Sequence, residues 1–492
     1  MSDWEEYDDN ELKELEKRLK KIYRQAYKES QEKVDKYFKS FAEEDEEMRR
    51  LYLQGKITKD EYRAWRQKKM LSGKHWTDLR DQIVERIHDA NKTAEQIIND
   101  ETPKTYTRNY NHAQFEGDVN VGVSFELTNE NAVKQALKSN HVTFKTVKIN
   151  DSKDTRYTQE RLTNELVSGI VQGKTWREMA KSYQNVLNGS YSQAVRSART
   201  SYTSAQNSGR LDSFERFERA GIKVLKEWMS TKDERTRESH AQLNGVRVAV
   251  KEKFPNGLMY PGDPEGSPSE VYNCRCKLVS FFPGSSRDRE MGKSIESYQK
   301  WQANKYADDL ISDAKQKDKI ITPLLSSIVD EGSGHLEGLD YRIKGKESLS
   351  RKLKSKSKSK GISIDEYSRK VTDVLRYTNI SDENNLTNDY FIIVEGLKKQ
   401  GYNMIEVTNT FNVDGAYKGI NTLVQDLDGY VFELQFHTSK SLEIKEINHK
   451  LYEEQRLDST TNKRKAELND IMRNNANSVS LPKGIDLIKN KK

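Results

Sequence analysis

Long apolar runs are missing from this chain. Nothing approaches the 18 or more apolar residues of a bilayer-spanning helix, so no membrane segment is expected. Cysteine is nearly absent. Two residues, Cys274 and Cys276, exclude a disulfide framework. A strong charge of one sign is also lacking. The formal net charge of +7 is the small difference between 84 basic and 77 acidic residues, which permits contact with nucleic acid without arguing for it. The opening MSDWEEYDDNEL is acidic rather than basic and then apolar, so no secretory signal is expected and the product is read as soluble and intracellular. What is present is polarity. With 34% hydrophobic and 33% charged residues, the chain predicts long exposed helices and several small cores instead of one large core. The length predicts about three domains.

Apolar residues recur at helical spacing through Leu12, Leu15, Leu19, Ile22, Tyr23 and Ala26, predicting an amphipathic helix or helical pair over 9–50. Thr58 is placed to cap a helix starting near Lys59. Another helix is expected over 77–99, from Leu79, Ile83, Val84, Ile87, Ala90 and Ala94. Residues 100–128 are polar and aromatic and read as irregular. Residues 129–137 read as helix, 142–149 as a short strand or ordered arm, and 158–219 as helix, with Thr175 and Glu178 spaced as a capping box. Residues 284–320 read as a polar connector containing a charged helix. In 352–360 lysine and serine alternate, which predicts a solvated loop.

Proline and glycine concentrate between Lys226 and Pro283. Five of the eight prolines fall there (Pro255, Pro261, Pro264, Pro268 and Pro283), so a compact, loop-rich module is expected. His240, Cys274 and Cys276 offer three soft or borderline ligands that could hold zinc, with Asp233 as a fourth. The same residues also read as two small buried thiols beside a hydrogen-bonding histidine. The stretch resembles the Mu F-like family of phage minor head proteins. The resemblance is carried by Trp228, Ser230-Thr231, Asp233, Arg235-Thr236-Arg237, His240, Leu243, Gly245, Pro261-Gly262-Asp263-Pro264 and Asn273-Cys274-Arg275-Cys276. Arg196-Ser197-Ala198-Arg199-Thr200 and Gly209-Arg210 extend it upstream. Those arginines could touch phage DNA, or simply form a solvated helix face.

Beyond about residue 322 the pattern changes. Strand-like runs occur at 390–394, 405–407, 422–427 and 430–436, with helical stretches at 364–375, 394–399 and 440–456. This predicts an α+β domain with a mixed or mostly antiparallel sheet. Asp428-Gly429 is a hairpin signal. Four motifs follow one another. Arg342, Lys344, Ser348 and Lys352 form a basic set. Asp373 precedes Arg376. Tyr417 is an aromatic that could stack on a base. Glu433, Gln435 and His437 alternate along a strand and so share one face, opposite Phe432, Leu434 and Phe436. Phosphoryl transfer needs cations around phosphates and carboxylates for Mg2+, and this set supplies both. A plainer reading is an edge strand with a solvated face.

The motifs resemble the RelA/SpoT-like pyrophosphokinase fold, in the form carried at the ends of polymorphic toxins. The resemblance implies that Arg342, Lys344, Ser348 and Lys352 hold ATP phosphates and that Asp373 and Glu433 hold Mg2+. It also implies that Arg376, Gln435 and His437 belong to the catalytic set and that Tyr417 stacks on the acceptor. Three positions depart from the family pattern: Gly419 stands for serine, Asn421 for histidine and His437 for arginine. They leave the acceptor open between nucleotides and an RNA end.

The expected organisation is a helical region 1–128, a Mu F-like domain 129–285, a connector 286–321, a RelA/SpoT-like toxin domain 322–460 and a polar tail 461–492. The expected protein is a virion head component, made in the bacterial cytoplasm, that meets portal and capsid or scaffold proteins. Its tail domain transfers pyrophosphate from ATP to a ribose hydroxyl and is neutralised by an immunity protein. The alternatives are a structural head protein with an inactive or binding C-terminal module, and a toxin of other chemistry, either ADP-ribosyl transfer or a nuclease, for which His437 and His449 remain available.

Overall fold

The apolar periodicity of the first residues becomes helix α1 (Asp3–Lys39), followed by α2 (Ala42–Leu53), α3 (Lys59–Leu71), α4 (Lys74–Val121), α5 (Glu130–Lys138), α6 (Ser152–Gln172) and α7 (Trp176–Arg219). The computed structural model describes residues 3–71, 74–139, 144–149, 152–172, 174–231, 233–285, 294–455 and 460–491. The chain divides into two compact units, Met1–Tyr298 and Gln299–Lys492. The arm expected from Val142, the connector residues 286–293 and Arg456 of the last expected helix lie outside the described residues. The remaining 144–149 form no strand.

Within the first unit, α4 corrects the irregular reading of 100–128. Its second half is helical although Pro103 lies inside it. Polar side chains there pack between helices: Thr102 meets Ser201 at 3.0 Å, and Gln114 donates to Ser213 at 2.7 Å. The backbones come close, since a Cβ on Gly209 of α7 would sit 2.5 Å from the Tyr106 carbonyl oxygen. Apolar contacts share the interface, Tyr106 and Tyr110 packing with Ala205, and Ala113 with Leu211, Phe214 and Phe217. The capping box forms as expected, Thr175 and Glu178 bonding each other's backbone N–H at the start of α7.

The Pro/Gly-rich module follows α7. It contains β1 (Leu225–Met229), α8 (Glu238–Gln242), β2 (Arg247–Ala249), α9 (Pro268–Val271) and β3 (Lys277–Phe281). The strands make an antiparallel sheet in the order β2-β1-β3. Trp228, Val250, Phe254, Tyr260, Leu278 and both cysteines are buried against Leu211, Phe214 and Phe217 of α7.

The second unit begins within α10 (Ile295–Val329). It continues through β4 (His335–Glu337), α11 (Lys346–Lys360), α12 (Ile364–Ser368), β5 (Arg376–Ile380), α13 (Leu386–Lys399), β6 (Asn403–Asn409), β7 (Ile420–Gln425), β8 (Val431–His437), α14 (Ser439–Gln455) and α15 (Asn462–Ala476). Its sheet runs β4-β5-β8-β7-β6, with β5 and β8 parallel and the other neighbours antiparallel. The mixed sheet bears out the expected α+β class. Asp428-Gly429 makes the β7–β8 turn, Gly429 at φ 89° and the Asp426 carboxylate accepting from the N–H of Asp428 and Tyr430.

Four local expectations are corrected. The lysine–serine stretch is helix α11, because Leu349, Leu353 and Ser357, spaced by four, bury one side of it. The run 390–394 is part of α13, which buries Leu386, Tyr390, Ile393 and Leu397. The helix expected over 364–375 stops at Ser368, so Asp373 sits in the extended connection before β5. The segment expected to be a polar tail holds α15, and Lys491 bridges to Val407 of β6.

Candidate functional site

Strand β8 is central, not an edge. Its Phe432, Leu434 and Phe436 are fully buried against the core, and Tyr390 meets Phe436 edge-on at 4.9 Å. Period two then sends Glu433, Gln435 and His437 to the other face. That face is not solvated either. Gln435 and His437 are buried under α14. The parallel register sets Arg376 of β5 beside Glu433 and Thr378 beside Gln435.

Asp373 is clamped by two lysines from two elements. Lys344, in an extended segment whose Ile343 bridges Leu375, donates to Oδ2 at 2.7 Å, and Lys352, on α11, donates to Oδ1 at 2.6 Å. Burial pushes the Asp373 carboxyl up, but these two hydrogen bonds and charges outweigh it and hold it at about 2. Burial pulls Lys344 below the ordinary lysine value. Arg376 links the two carboxylates, donating to Glu433 Oε2 at 2.7 Å with Nη2 3.7 Å from Asp373. The other Glu433 oxygen accepts from Gln435 at 2.9 Å, and Gln435 Oε1 accepts from Lys445 Nζ at 2.6 Å. Burial, with Arg376 nearby, pulls the Lys445 amine down to about 8.

A second chain of hydrogen bonds adjoins this cluster. Tyr417 donates to Asn421 Oδ1 at 2.6 Å and lies 3.0 Å from His437 Nε2, while His437 Nδ1 lies 2.9 Å from Ser441 Oγ. Burial and the Lys445 charge pull the histidine down to about 3, so it is neutral at pH 7. Counting donors then assigns the bonds. The Tyr417 proton goes to Asn421, His437 Nε2–H donates to the Tyr417 oxygen, and Nδ1 is left to accept from the Ser441 hydroxyl, which also lies 3.1 Å from the Thr438 carbonyl. A Cβ on Gly419 would lie 2.6 Å from His437 Cε1 and 2.8 Å from the Tyr417 oxygen. The three positions that depart from the family pattern thus all touch one tyrosine hydroxyl.

The structure brings together Lys344, Lys352, Asp373, Arg376, Glu433 and Gln435, with Tyr417 and His437 alongside. Arg342 and Ser348 are not in this cluster. Arg342 forms a two-pronged pair with Asp318 of α10 at 2.5 and 2.7 Å, supported by Tyr377 and Thr322 on the same carboxylate. Ser348 is exposed on α11. Lys445, Asp318 and Ser441 were not singled out from the sequence. The signal for Ser441 was Thr438 three residues before it, whose hydroxyl accepts the Ser441 N–H at 3.1 Å and starts α14.

In the first unit His240 Nδ1 faces both sulfurs, at 3.6 Å from Cys274 and 3.5 Å from Cys276, and all three residues are buried. The hydrogen bond from Cys274 and the facing His240 lower the Cys276 thiol. Asp233 is engaged elsewhere, paired with Arg275 at 2.6 Å through both oxygens. The arginines of α7 also have internal partners: Arg199 pairs with Glu16 at 2.6 Å and buried Arg210 with Glu116 at 2.6 Å. Among the described residues no helix is long and apolar enough to cross a membrane.

Residues 160–279 match the family described as Phage Mu protein F like protein. The NAD(+)--arginine ADP-ribosyltransferase EFV of Enterococcus faecalis (strain ATCC 700802 / V583) is 32% identical over 154 residues, 30% of this chain and 32% of that protein. The chain thus spans about a third of that relative's length. The minor head protein GP7 of Bacillus phage SPP1 is 23% identical over 289 residues, 57% of this chain and 86% of the relative. Among solved structures, the complex between the type VI effector Tas1 and its immunity protein is similar at TM-score 0.25 and 16% identity, covering 35% of this chain and 94% of that one. A GTP pyrophosphokinase family protein from Streptococcus pneumoniae is similar at TM-score 0.26 and 18% identity, covering 37% and 89%. Mu F-like and pyrophosphokinase proteins are the two kinds that the motifs resemble.

Proposed function

We propose that the chain is a phage minor head protein whose second unit is a phosphate-transfer enzyme of toxin type. It would move pyrophosphate from ATP to a ribose hydroxyl of a nucleotide or RNA. The observation that carries the enzymatic reading is the charge balance of the cluster. Four cations, Lys344, Lys352, Arg376 and Lys445, surround two carboxylates, Asp373 and Glu433. Four less two leaves an excess of two positive charges in a half-buried site, which a triphosphate would neutralise. Both carboxylates pair with Arg376, and carboxylates are the ordinary protein ligands of Mg2+. Asp373 and Glu433 would hold the ion, which when bound would offset charge on the transferring group. Lys344 and Lys352 would turn from Asp373 to the donor phosphates. Glu433 would receive the hydroxyl proton, and Tyr417 would position the acceptor. Arg342, paired with Asp318 two-pronged, would stand behind the cluster and join the donor phosphates only on leaving that pair.

The head-assembly reading rests on the family match over 160–279 and on the SPP1 relative. It implies a place in the virion, portal and capsid or scaffold partners, and an immunity protein for the second unit. The test incubates the full chain and residues 299–492 with ATP labelled in the β and γ phosphates, in the presence of guanosine nucleotides, adenosine nucleotides and RNA. A parallel arm supplies labelled NAD+. Transfer of both phosphates to one acceptor supports the proposal. Label from NAD+ alone, RNA cleavage alone, or no transfer with an unharmed host would replace it with the corresponding alternative.

A further inference from the structure

We propose that His240, Cys274 and Cys276 form a site for a divalent cation of the zinc class, which pins α8 to the turn before β3. The argument begins with the imidazole. Its Nε2 faces Glu270 Oε2 at 2.9 Å, and Ser239 also reaches that carboxylate. A carboxylate accepts only, so Nε2 carries the proton and Nδ1 presents its lone pair. That lone pair points toward two sulfurs at nearly equal distance, 3.6 and 3.5 Å. Both sulfurs therefore lie within reach of one lone pair, and all three ligand atoms converge on one point. A shared cation would engage all three. Zn–S bonds of about 2.3 Å and Zn–N bonds of about 2.0–2.1 Å, at the tetrahedral angle, separate nitrogen from sulfur by about 3.6 Å. The observed separations match that edge.

The surroundings fit the same role. The three ligand atoms lie within 4.8 Å of one another, all on buried residues. Glu270 stands where an orienting carboxylate stands behind a metal-bound histidine. The loop around the cluster is held independently: Thr231 Oγ1 donates to the Arg275 carbonyl at 2.9 Å, and Asp233 pairs with Arg275 on both oxygens. The ligand positions are therefore set by contacts that do not involve the ion. Among the described residues no fourth His, Cys, Asp or Glu joins the group, so the fourth position goes to water. Helix α8 is a five-residue turn, and a cross-link to residues 274–276 stiffens a module with little regular structure.

The test uses the full chain purified without added metal or chelator. Elemental analysis should find about one equivalent of zinc, and the stripped protein should bind cobalt(II) with sulfur-to-cobalt charge-transfer absorption that saturates at about one equivalent and that zinc abolishes. Stripping should lower Tm. Glu270→Gln should keep the absorption but weaken cobalt affinity by about 10–100-fold, because the ring loses its orienting partner. Cys276→Ser should reduce the absorption. If that variant does not fold, the wild-type cobalt titration still decides. A chain that carries no zinc and takes up cobalt without thiolate absorption overturns the proposal, as does a stripped protein with unchanged Tm and unchanged reactivity of both thiols on adding zinc.

Discussion

Gly419 and His437 divide one space between them: a Cβ at position 419 would come within 2.6 Å of the His437 ring. The glycine in place of serine and the histidine in place of arginine therefore form a matched pair, and Asn421 completes it by taking the Tyr417 proton. Gly419→Ala should lower stability by about 1–3 kcal/mol through overpacking. Adding His437→Ala should recover part of that loss. Urea unfolding of the two single variants and the double variant measures the coupling, and additive effects would dissolve the pair.

Asp373→Asn should not fold as tightly as the wild type, because it leaves Lys344 and Lys352 facing each other half-buried. The carboxyl sits at about 2 in the folded chain, below the ordinary aspartate value of about 3.9. A lowered carboxyl pKa gives stability that is present above about pH 4 and lost as the pH falls through about 2. Roughly 2 kcal/mol is at stake, at about 1.4 kcal/mol per unit. Denaturant titrations of wild type and variant should differ by about that amount at pH 7 and converge near pH 2. A constant gap across that range would mean that Asp373 stabilises by something other than its charge.

Glu433→Gln separates the catalytic role from the structural one. On the reading proposed here the amide keeps the shape but loses a proton acceptor and an Mg2+ ligand. Transfer should slow by about 10²–10⁴-fold, with kcat lowered more than KM for ATP is raised. Lys445→Met should act in the opposite manner, raising KM more than it lowers kcat, since its charge is felt by bound phosphates before any reaction. Equal effects of the two substitutions on KM would argue that neither role is assigned correctly.

The helix α11 gives a stability test outside the site. Leu353 lies in a run of lysine and serine yet is fully buried, so Leu353→Ala should destabilise the second unit by about 2–5 kcal/mol. Trypsin should spare Lys354–Lys360 in the native chain despite their density of cleavage points. Early cutting there would return the segment to a loop.

Part of the cluster was legible because the backbone fixes which side chains of a strand share a face. Glu433, Gln435 and His437 on one face follow from period two alone. What escaped were partners supplied by other elements. Asp318 pairs with Arg342, and it lies in a stretch read only as a charged connector. Lys445 reaches the site from α14, where a lysine looks like any solvated helix residue. The second half of α4 was missed because its buried face, Tyr106, Tyr110 and Ala113, is interleaved with Thr and Gln side chains that bond across to α7, so the period is masked by polar residues. The run 390–394 shows the opposite error: four or five apolar residues in a row fit a buried strand as well as one turn of a buried helix. The cysteine pair could not be decided from spacing, since the orienting Glu270 lies thirty residues from His240 and carries no motif.

β6 is the outermost strand of the second sheet, and its open side is taken up by Lys491, which exchanges two backbone hydrogen bonds with Val407 at 2.9 Å. A bare sheet margin recruits other chains. Here the bridge comes from Lys491, far along the chain from Val407, so a ribosome releases it long after the strand it covers. Copies interrupted before Lys491 would leave that margin open. Among many copies made side by side, self-association would then mark the incomplete ones.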